Sequence, residues 1–261
     1  MPRFIPASNY HVANVKGLPR QALPKEAFDK FSPDVLGLGD ISAASVPTDA
    51  IAAVFDLQGF TNFCTQTDPH LAVPKYLSSF LRWLMQNLRN EMRHSEHEAD
   101  VLVYSKLPFF VKFLGDGLLV LWDCAQMGEG SQRNVIVSMF EVCRKYRSEF
   151  LPALKATMVD PPPILRCGVA RGTVFSVGNG QDYVGSCINM AARLQKLPGL
   201  SFAFNRRGFN LEGPGVVHFF TGMITIRQVS IRGIGDRELI GILKSEAAKL
   251  SDENQKLYAE P

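Results

Sequence analysis

Apolar and polar positions switch between two periods along this chain, and the switches mark out its elements. Ile51 to Leu57 is apolar apart from Asp56, the pattern of a buried strand. From Leu71 to about Glu91 the apolar residues Leu77, Phe80, Leu81, Leu84 and Leu88 recur at helical spacing, and Pro74 is tolerable in a first turn. Two short apolar strands follow, one around Val111 to Leu114 and one from Leu118 to Trp122, joined by Gly115-Asp116-Gly117. Asn134 to Phe150 reads as a second amphipathic helix, and Pro152 with Pro161-Pro162-Pro163 closes that segment. Ile164 to Ala170 and Thr173 to Val177 read as two strands joined at Arg171-Gly172. Ser186 to Leu197 reads as a helix stopped by Pro198-Gly199, and Phe202 to Leu243 as several short strands with Gly-rich turns. Strands mixed with helices, one strand pair being a hairpin, predict an α+β sandwich of helices over a sheet.

Residues 1–50 are rich in Pro, Gly and Ser and lack sustained periodicity, so they are expected to form an extension with one short helix near Lys25 to Phe31. The domain proper is then 51–245, followed by a C-terminal tail, 246–261, whose last residues from Ser251 are polar and expected to be mobile. With 261 residues and 46% apolar content the chain can bury one full core. A net charge of +3 with interspersed signs demands neither nucleic acid nor an anionic membrane as partner. The five cysteines are widely spaced without a Cys-x-x-Cys pair, which argues against zinc and for small buried hydrophobes in a reducing compartment. No signal peptide is evident at Met1 to Pro6 and no run of eighteen apolar residues exists, so a soluble, cytoplasmic protein is expected.

Two positions draw the chemistry. Asp116 sits at the tip of a hairpin between apolar strands, and Asp56 ends an apolar run before Leu57-Gln58-Gly59-Phe60-Thr61. Taken singly, Asp-Gly is an ordinary hairpin turn and Asp56 could equally cap a short helix. Together, two carboxylates at strand ends are what a pair of divalent cations bound to a nucleoside triphosphate needs, with the Leu57 carbonyl as a further oxygen ligand. Gly59 permits close backbone approach, and successive N–H groups at a helix start cradle an anion. A third group is Asp182-x-x-Gly185-x-x-Ile188-Asn189-x-Ala191-Ala192-Arg193. Asn189 and Arg193 are four apart and share a helix face, which suits a ribose and phosphates; a surface ion pair and a local cap are the plainer alternative. An enzyme of phosphoryl transfer is the leading reading.

These three segments, with Lys112-x-x-Gly115-Asp116 as the second, resemble the class III nucleotidyl cyclase catalytic domain over about 51–243. The resemblance implies a ferredoxin-like α+β core working as a head-to-tail homodimer, with active sites at the interface and two divalent cations, Mn²⁺ or Mg²⁺. By the same resemblance Asp56 and Asp116 match the metal-binding aspartates, and Gly59, Phe60 and Thr61 the phosphate-binding turn. Lys112 and Asp182 match the base-reading pair, and Asn189 and Arg193 the ribose and transition-state residues. The chain departs from the family in three places. Where Lys-Gly-Lys-Gly is frequent, it has Arg232-Gly233-Ile234-Gly235, so Arg232 keeps one phosphate-contacting charge and Ile234 lacks the other. Phe55 stands before the first aspartate where a small residue is common, and Ala99 to Pro108 is longer than the usual loop.

The base is less determined. Lys112 donors with Asp182 acceptors suit adenine, cytosine and uracil alike, and guanine least. Phe55-Asp56-Leu57-Gln58-Gly59-Phe60-Thr61-Asn62-Phe63-Cys64, on a catalytic domain without a recognisable sensor, resembles stand-alone bacterial pyrimidine cyclases of the Pycsar antiphage type. That resemblance implies UTP as substrate and cyclic UMP as an alarm signal to a downstream effector. The alternatives are an adenylate cyclase making cyclic AMP and a non-catalytic, cyclase-like nucleotide-binding domain.

Overall fold

A computed structural model of the chain describes residues 11–22, 25, 39–92, 107–125, 127–212 and 217–261. The expected helix near Lys25 to Phe31, beyond Lys25 itself, and most of the long Ala99 to Pro108 segment lie outside these residues. The chain divides into two compact units, one of residues 1–48 and 174–185, the other of 49–173 and 186–261.

The smaller unit contains a hairpin of β1 (His11–Val15) and β2 (Leu18–Ala22), a feature that the Pro- and Gly-rich composition did not disclose. Its two-residue turn, Lys16-Gly17, has positive φ at both positions, the conformation that matches the twist of the flanking strands.

The larger unit is built on a sheet. β3 (Pro47–Gln58) pairs antiparallel with β5 (Gly117–Asp123), and β5 pairs antiparallel with β4 (Phe110–Phe113). Next to β3 comes β6 (Ile164–Val177), then β8 (Phe202–Asn205), β10 (Gly235–Leu243) and β9 (Ile224–Ile231) at the edge. β7 (Asp182–Gly185) pairs with the last residues of β6 in the smaller unit. Alternate residues of β3 (Ile51, Ala53, Phe55, Leu57) and of β5 (Leu118, Val120, Trp122) enter one buried cluster. The long helix α2 (Pro69–Glu91), which follows the four-residue α1 (Phe60–Phe63), adds Tyr76, Phe80, Leu84 and Leu88 at spacings of four. Helix α3 (Glu129–Lys145) adds Val135, Ile136, Met139 and Phe140. Each large apolar side chain buried this way stabilises the fold by about 1.5–3 kcal/mol. An α+β architecture of helices over a sheet is what the periodicities predicted.

Four local expectations are corrected. Arg171-Gly172 does not break the 164–177 segment, which is one continuous strand. Arg171 spends its guanidinium on Asp49 (2.7 and 3.2 Å), Gln132 (2.7 Å) and the Gly208 carbonyl (2.8 Å), and Gly172 leaves room for Cys187, whose Cβ a side chain would meet at 3.3 Å. Pro152 does not end the second helix. A π turn, Tyr146–Phe150, absorbs it, and the helix resumes as α4 (Leu151–Lys155), because the wider turn relieves the missing N–H and the ring clash. A helix, α6 (Val217–Met223), lies among the supposed strands of 202–243. Finally, the C-terminal residues are held rather than mobile. Two short helices, α7 (Lys244–Ala247) and α8 (Asp252–Gln255), lead to Tyr258, which is buried and donates its hydroxyl to the Pro198 carbonyl at 2.7 Å. Ala259 then pairs with Gln228 through two backbone hydrogen bonds of 2.8 and 2.9 Å, covering part of the edge strand β9.

Candidate functional site

The ends of β3 and β5 bring the two aspartates together. Asp56 stands opposite Gly117 in the β3–β5 register, and the Leu57 N–H donates to the Asp116 carbonyl at 2.9 Å. Gly117 is required there, since a Cβ at this position would lie 1.8 Å from the Phe55 carbonyl oxygen. The turn itself closes through Leu114 N–H to the Gly117 carbonyl at 2.9 Å, with Gly115 in the left-handed region at φ 94°. Asp116 is exposed, whereas Asp56 is 7% exposed and therefore cannot remain buried as an uncompensated charge.

The compensation comes from Arg166 on β6, a residue that sequence reasoning missed. Its Nε donates to Asp56 Oδ2 at 3.0 Å and its Nη2 makes a second, short hydrogen bond to the same oxygen. The signal available in the sequence was an arginine two residues into an apolar run right after three prolines. A half-buried guanidinium in a strand implies an anionic partner. Which partner, however, depends on a contact across 110 positions.

Directly after β3, Gly59 caps α1 with φ 85° and ψ 4°. Phe63 and Cys64 N–H return to the Gly59 and Phe60 carbonyls at 3.0 and 2.9 Å, so the first N–H groups of this turn have no helical carbonyl to bond. Thr61 is exposed beside them, while the Phe60 ring packs toward Phe63 and Tyr76. Below this turn the Tyr146 hydroxyl donates to the Pro162 carbonyl at 2.5 Å, which leaves Tyr76 as the donor in the 2.9 Å contact between the two phenols. Burial pushes the Tyr146 hydroxyl up to about 12 and that of Tyr76 higher, so the pair stays protonated and fixes α2 and the π turn.

The remaining candidates occupy other places. Lys112, on β4 opposite Leu119, is exposed. Asn189 and Arg193 are both exposed on α5 (Ser186–Leu194), which buries Cys187, Met190, Ala191 and Leu194 instead. This helix packs closely on β6, where a Cβ at Gly168 would lie 2.1 Å from the Ala191 carbonyl oxygen. Gly168 alternates with Cys167 and Val169 of the main cluster, so α5 covers the opposite face of the sheet. Asp182 belongs to the smaller unit, at the start of β7, where its carboxylate accepts the Tyr183 N–H at 2.8 Å. Arg232 is exposed in the β9–β10 turn, with Gly233 at φ 78° and the Ile234 N–H on the Ile231 carbonyl at 2.9 Å. That turn is at the far end of the sheet from Asp56. β10 lies antiparallel to β8 with Ile242 opposite Ala203, and Ala203 faces Gly168, so it is Leu243 that approaches the Arg166 end. Strand rise from Gly235 to Ile242 puts Arg232 roughly 20 Å away along the strands. Among the described residues, no hydrogen bond or ion pair joins Asn189, Arg193 or Arg232 to Asp56 or Asp116.

The donors fit hard divalent cations only with outside help. Two carboxylates and a carbonyl are suitable oxygen ligands, yet no group of three or more His, Cys, Asp or Glu side chains among the described residues could hold an ion by itself. Both bonds from Arg166 fall on Asp56 Oδ2, so Oδ1 is the oxygen that they leave over. Such a site suits a cation that arrives with the oxygens of a polyphosphate. All five cysteines are free thiols, four of them buried, and burial pushes the Cys187 thiol up to about 11.

No protein-family model matches the chain, and no curated protein matches it. Solved structures do. The crystal structure of the guanylyl cyclase Cya2 superposes with a TM-score of 0.54 at 16% identity, covering 77% of this chain and 94% of that one. The adenylate/guanylate cyclase/hydrolase from Silicibacter pomeroyi gives 0.48 at 13% identity over 76% and 98%. A bacterial light-regulated adenylyl cyclase gives 0.48 at 15% identity over 90% and 62%. The fold is read from the first of these: the chain has the α+β fold of class III cyclase domains. No described helix is long and apolar enough to cross a membrane.

Proposed function

We propose that this protein is a class III nucleotidyl cyclase that converts a nucleoside triphosphate, with UTP preferred, into its 3′,5′-cyclic nucleotide and pyrophosphate. The observation that carries the reading is the junction of β3 and β5, which sets Asp56 beside Asp116, with Arg166 on the buried carboxylate and the Gly59 turn directly after it. Asp56, Asp116 and the Leu57 carbonyl would hold two divalent cations, Mg²⁺ or Mn²⁺. The chemistry these supply when bound is a lowered pKa for the ribose 3′-hydroxyl and neutralisation of the leaving pyrophosphate.

The chain's own residues do the positioning. Arg166 fixes the orientation of the Asp56 carboxylate. The backbone N–H groups of Gly59, Phe60 and Thr61 bind phosphate oxygens, and Arg232 supplies a further cation. Asn189 orients the ribose so that O3′ faces the α-phosphorus in line, and Arg193 stabilises the charge that develops there. A P–O bond forms between O3′ and the α-phosphorus, the bond from that phosphorus to the bridging oxygen breaks, pyrophosphate leaves and the 3′-hydroxyl proton passes to solvent, so the reaction needs no side-chain nucleophile. Lys112 and Asp182 read the base edge.

The roughly 20 Å between the Arg232 turn and the Asp56 end favours a site made by two copies. In a head-to-tail homodimer, Asp56, Asp116 and the Gly59 turn of one chain would meet Lys112, Asp182, Asn189, Arg193 and Arg232 of its partner. In this reading the protein works in the cytoplasm, and cyclic UMP signals to a separate effector in antiphage defence. The first-motif residues Phe55 to Cys64 support the pyrimidine assignment through their resemblance to stand-alone pyrimidine cyclases. Equimolar UTP, CTP, ATP and GTP offered together with Mn²⁺, with products resolved by mass spectrometry, test the substrate. Cyclic UMP should dominate, followed by cyclic CMP. Dominant cyclic AMP would replace the proposal with an adenylate cyclase, and nucleotide binding without turnover would replace it with a non-catalytic domain.

A further inference from the structure

A cavity lies within the larger unit, walled by α3, the π turn, the end of β10 and α7, and none of the residues proposed for cyclisation lines it. Its volume is about 330 Å³, within the range of small-molecule pockets. Phe140, Cys143 and Leu243 form an apolar floor, and Met223, 43% exposed, stands at the opening. Three cations, Arg144, Arg147 and Lys249, line the same cavity. Glu246 is the one acidic residue in the lining, and it is already engaged: the Ser201 N–H donates to it at 3.0 Å and the Ser201 hydroxyl makes a second, short hydrogen bond. Arg144 is answered outside the cavity by Glu141 at 2.7 Å, whereas Arg147 approaches Glu246 only at 4.0 Å and is 57% exposed. The rim therefore keeps a positive excess centred on Arg147 and Lys249.

The walls are preformed. The Ser201 carbonyl accepts the Cys167 N–H at 2.9 Å, which ties the Glu246 side of the cavity to β6. Arg147 and Ser148 belong to the π turn, a helix irregularity found frequently at functional sites. The cavity opens to solvent on one side, so a ligand of small-molecule size can bury its body and leave its head at the rim.

From the apolar floor, the cationic rim and this size, we propose that the cavity binds a small amphipathic carboxylate, an aliphatic body of about eight carbons with one anionic head. The body would displace water from Phe140, Cys143 and Leu243, and the head would sit between Arg147 and Lys249. Octanoate is the probe, and octylammonium, with the same body and the opposite charge, is its control. Isothermal titration of the protein should show saturable one-site binding of octanoate, with octylammonium at least tenfold weaker. The double variant Arg147→Glu/Lys249→Glu should weaken octanoate at least tenfold, and Met223→Trp, which fills the opening, should abolish binding. All three substituted side chains are exposed, so these variants should keep the fold. No saturable octanoate binding, equal binding of octylammonium, or octanoate binding unchanged in the variants would overturn the proposal. The comparison of the two probes on the unmodified protein decides the matter even if a variant fails to fold.

Discussion

Gly117→Ala perturbs the joint between the two aspartates without removing either carboxylate. The added Cβ would lie 1.8 Å from the Phe55 carbonyl oxygen and 2.8 Å from the carbonyl carbon, both rigid backbone atoms. Real Cβ atoms stay beyond 3.0 Å, so the β3–β5 junction must open by about 1.2 Å, a displacement of the size that costs about 100-fold in a positioned reaction. The opening would pull Asp116 from the Leu57 N–H that now meets its carbonyl at 2.9 Å. Overpacking of this kind costs about 1–3 kcal/mol of stability, and each kcal/mol lowers the melting temperature of a chain of this size by about 2–4 °C. Gly115→Ala is the matched comparison, because φ of 94° makes it strained while nothing lies within 4 Å of its Cβ. It should lose about 1–2 kcal/mol from backbone strain alone and less activity than Gly117→Ala. Thermal unfolding and initial rates of pyrophosphate release, measured side by side, test the pair. Gly117→Ala with the rate and melting temperature of the unmodified protein would refute the argument that this glycine sets the spacing of the aspartates.

Asp56→Ala and Asp116→Ala should each abolish turnover with Mg²⁺ or Mn²⁺. Only Asp56→Ala should also cost stability, about 1–3 kcal/mol, because it strands a half-buried Arg166 while Asp116 is exposed; denaturant titration separates the two effects. An Asp56→Ala chain and an Arg193→Ala chain should be inactive alone and recover activity after subunit exchange. Random pairing makes about half the dimers mixed with one intact site each, so the expected rate is roughly a quarter of the unmodified protein's. No recovery despite demonstrated exchange would mean that each site is built within one chain.

The sequence disclosed the elements whose signals are local. The β3 run, β5 and the α2 periodicity appear where apolar spacing put them because each is buried, whereas the apolar β4 of the same hairpin leaves Val111 and Phe113 exposed. The sequence also marked Asp56 and Asp116 as strand-end residues, and the register puts Asp56 opposite Gly117, the residue after Asp116. What it hid rests on contacts between distant positions. Arg166 is an ordinary strand residue until β6 lies beside β3. The continuity of β6 through Arg171-Gly172 depends on partners at Asp49, Gln132 and Gly208. The C-terminal residues are polar enough to read as mobile, yet one buried tyrosine and a backbone pair with Gln228 hold them. The π turn could not be anticipated from Pro152 alone, because proline in a helix ends or bends it according to what packs around it.

In the proposed reaction the ribose 3′-hydroxyl of a nucleotide closes onto the α-phosphate of the same nucleotide. The direct test incubates the purified protein with each nucleoside triphosphate in turn, with Mn²⁺ and with chelator, and quantifies pyrophosphate and cyclic nucleotide together. Equal amounts of 3′,5′-cyclic nucleotide and pyrophosphate should form with at least one nucleotide, and both should be lost with chelator and in Asp56→Ala. No cyclic product from any of the four, or product formed equally by Asp56→Ala, would contradict the proposed reaction.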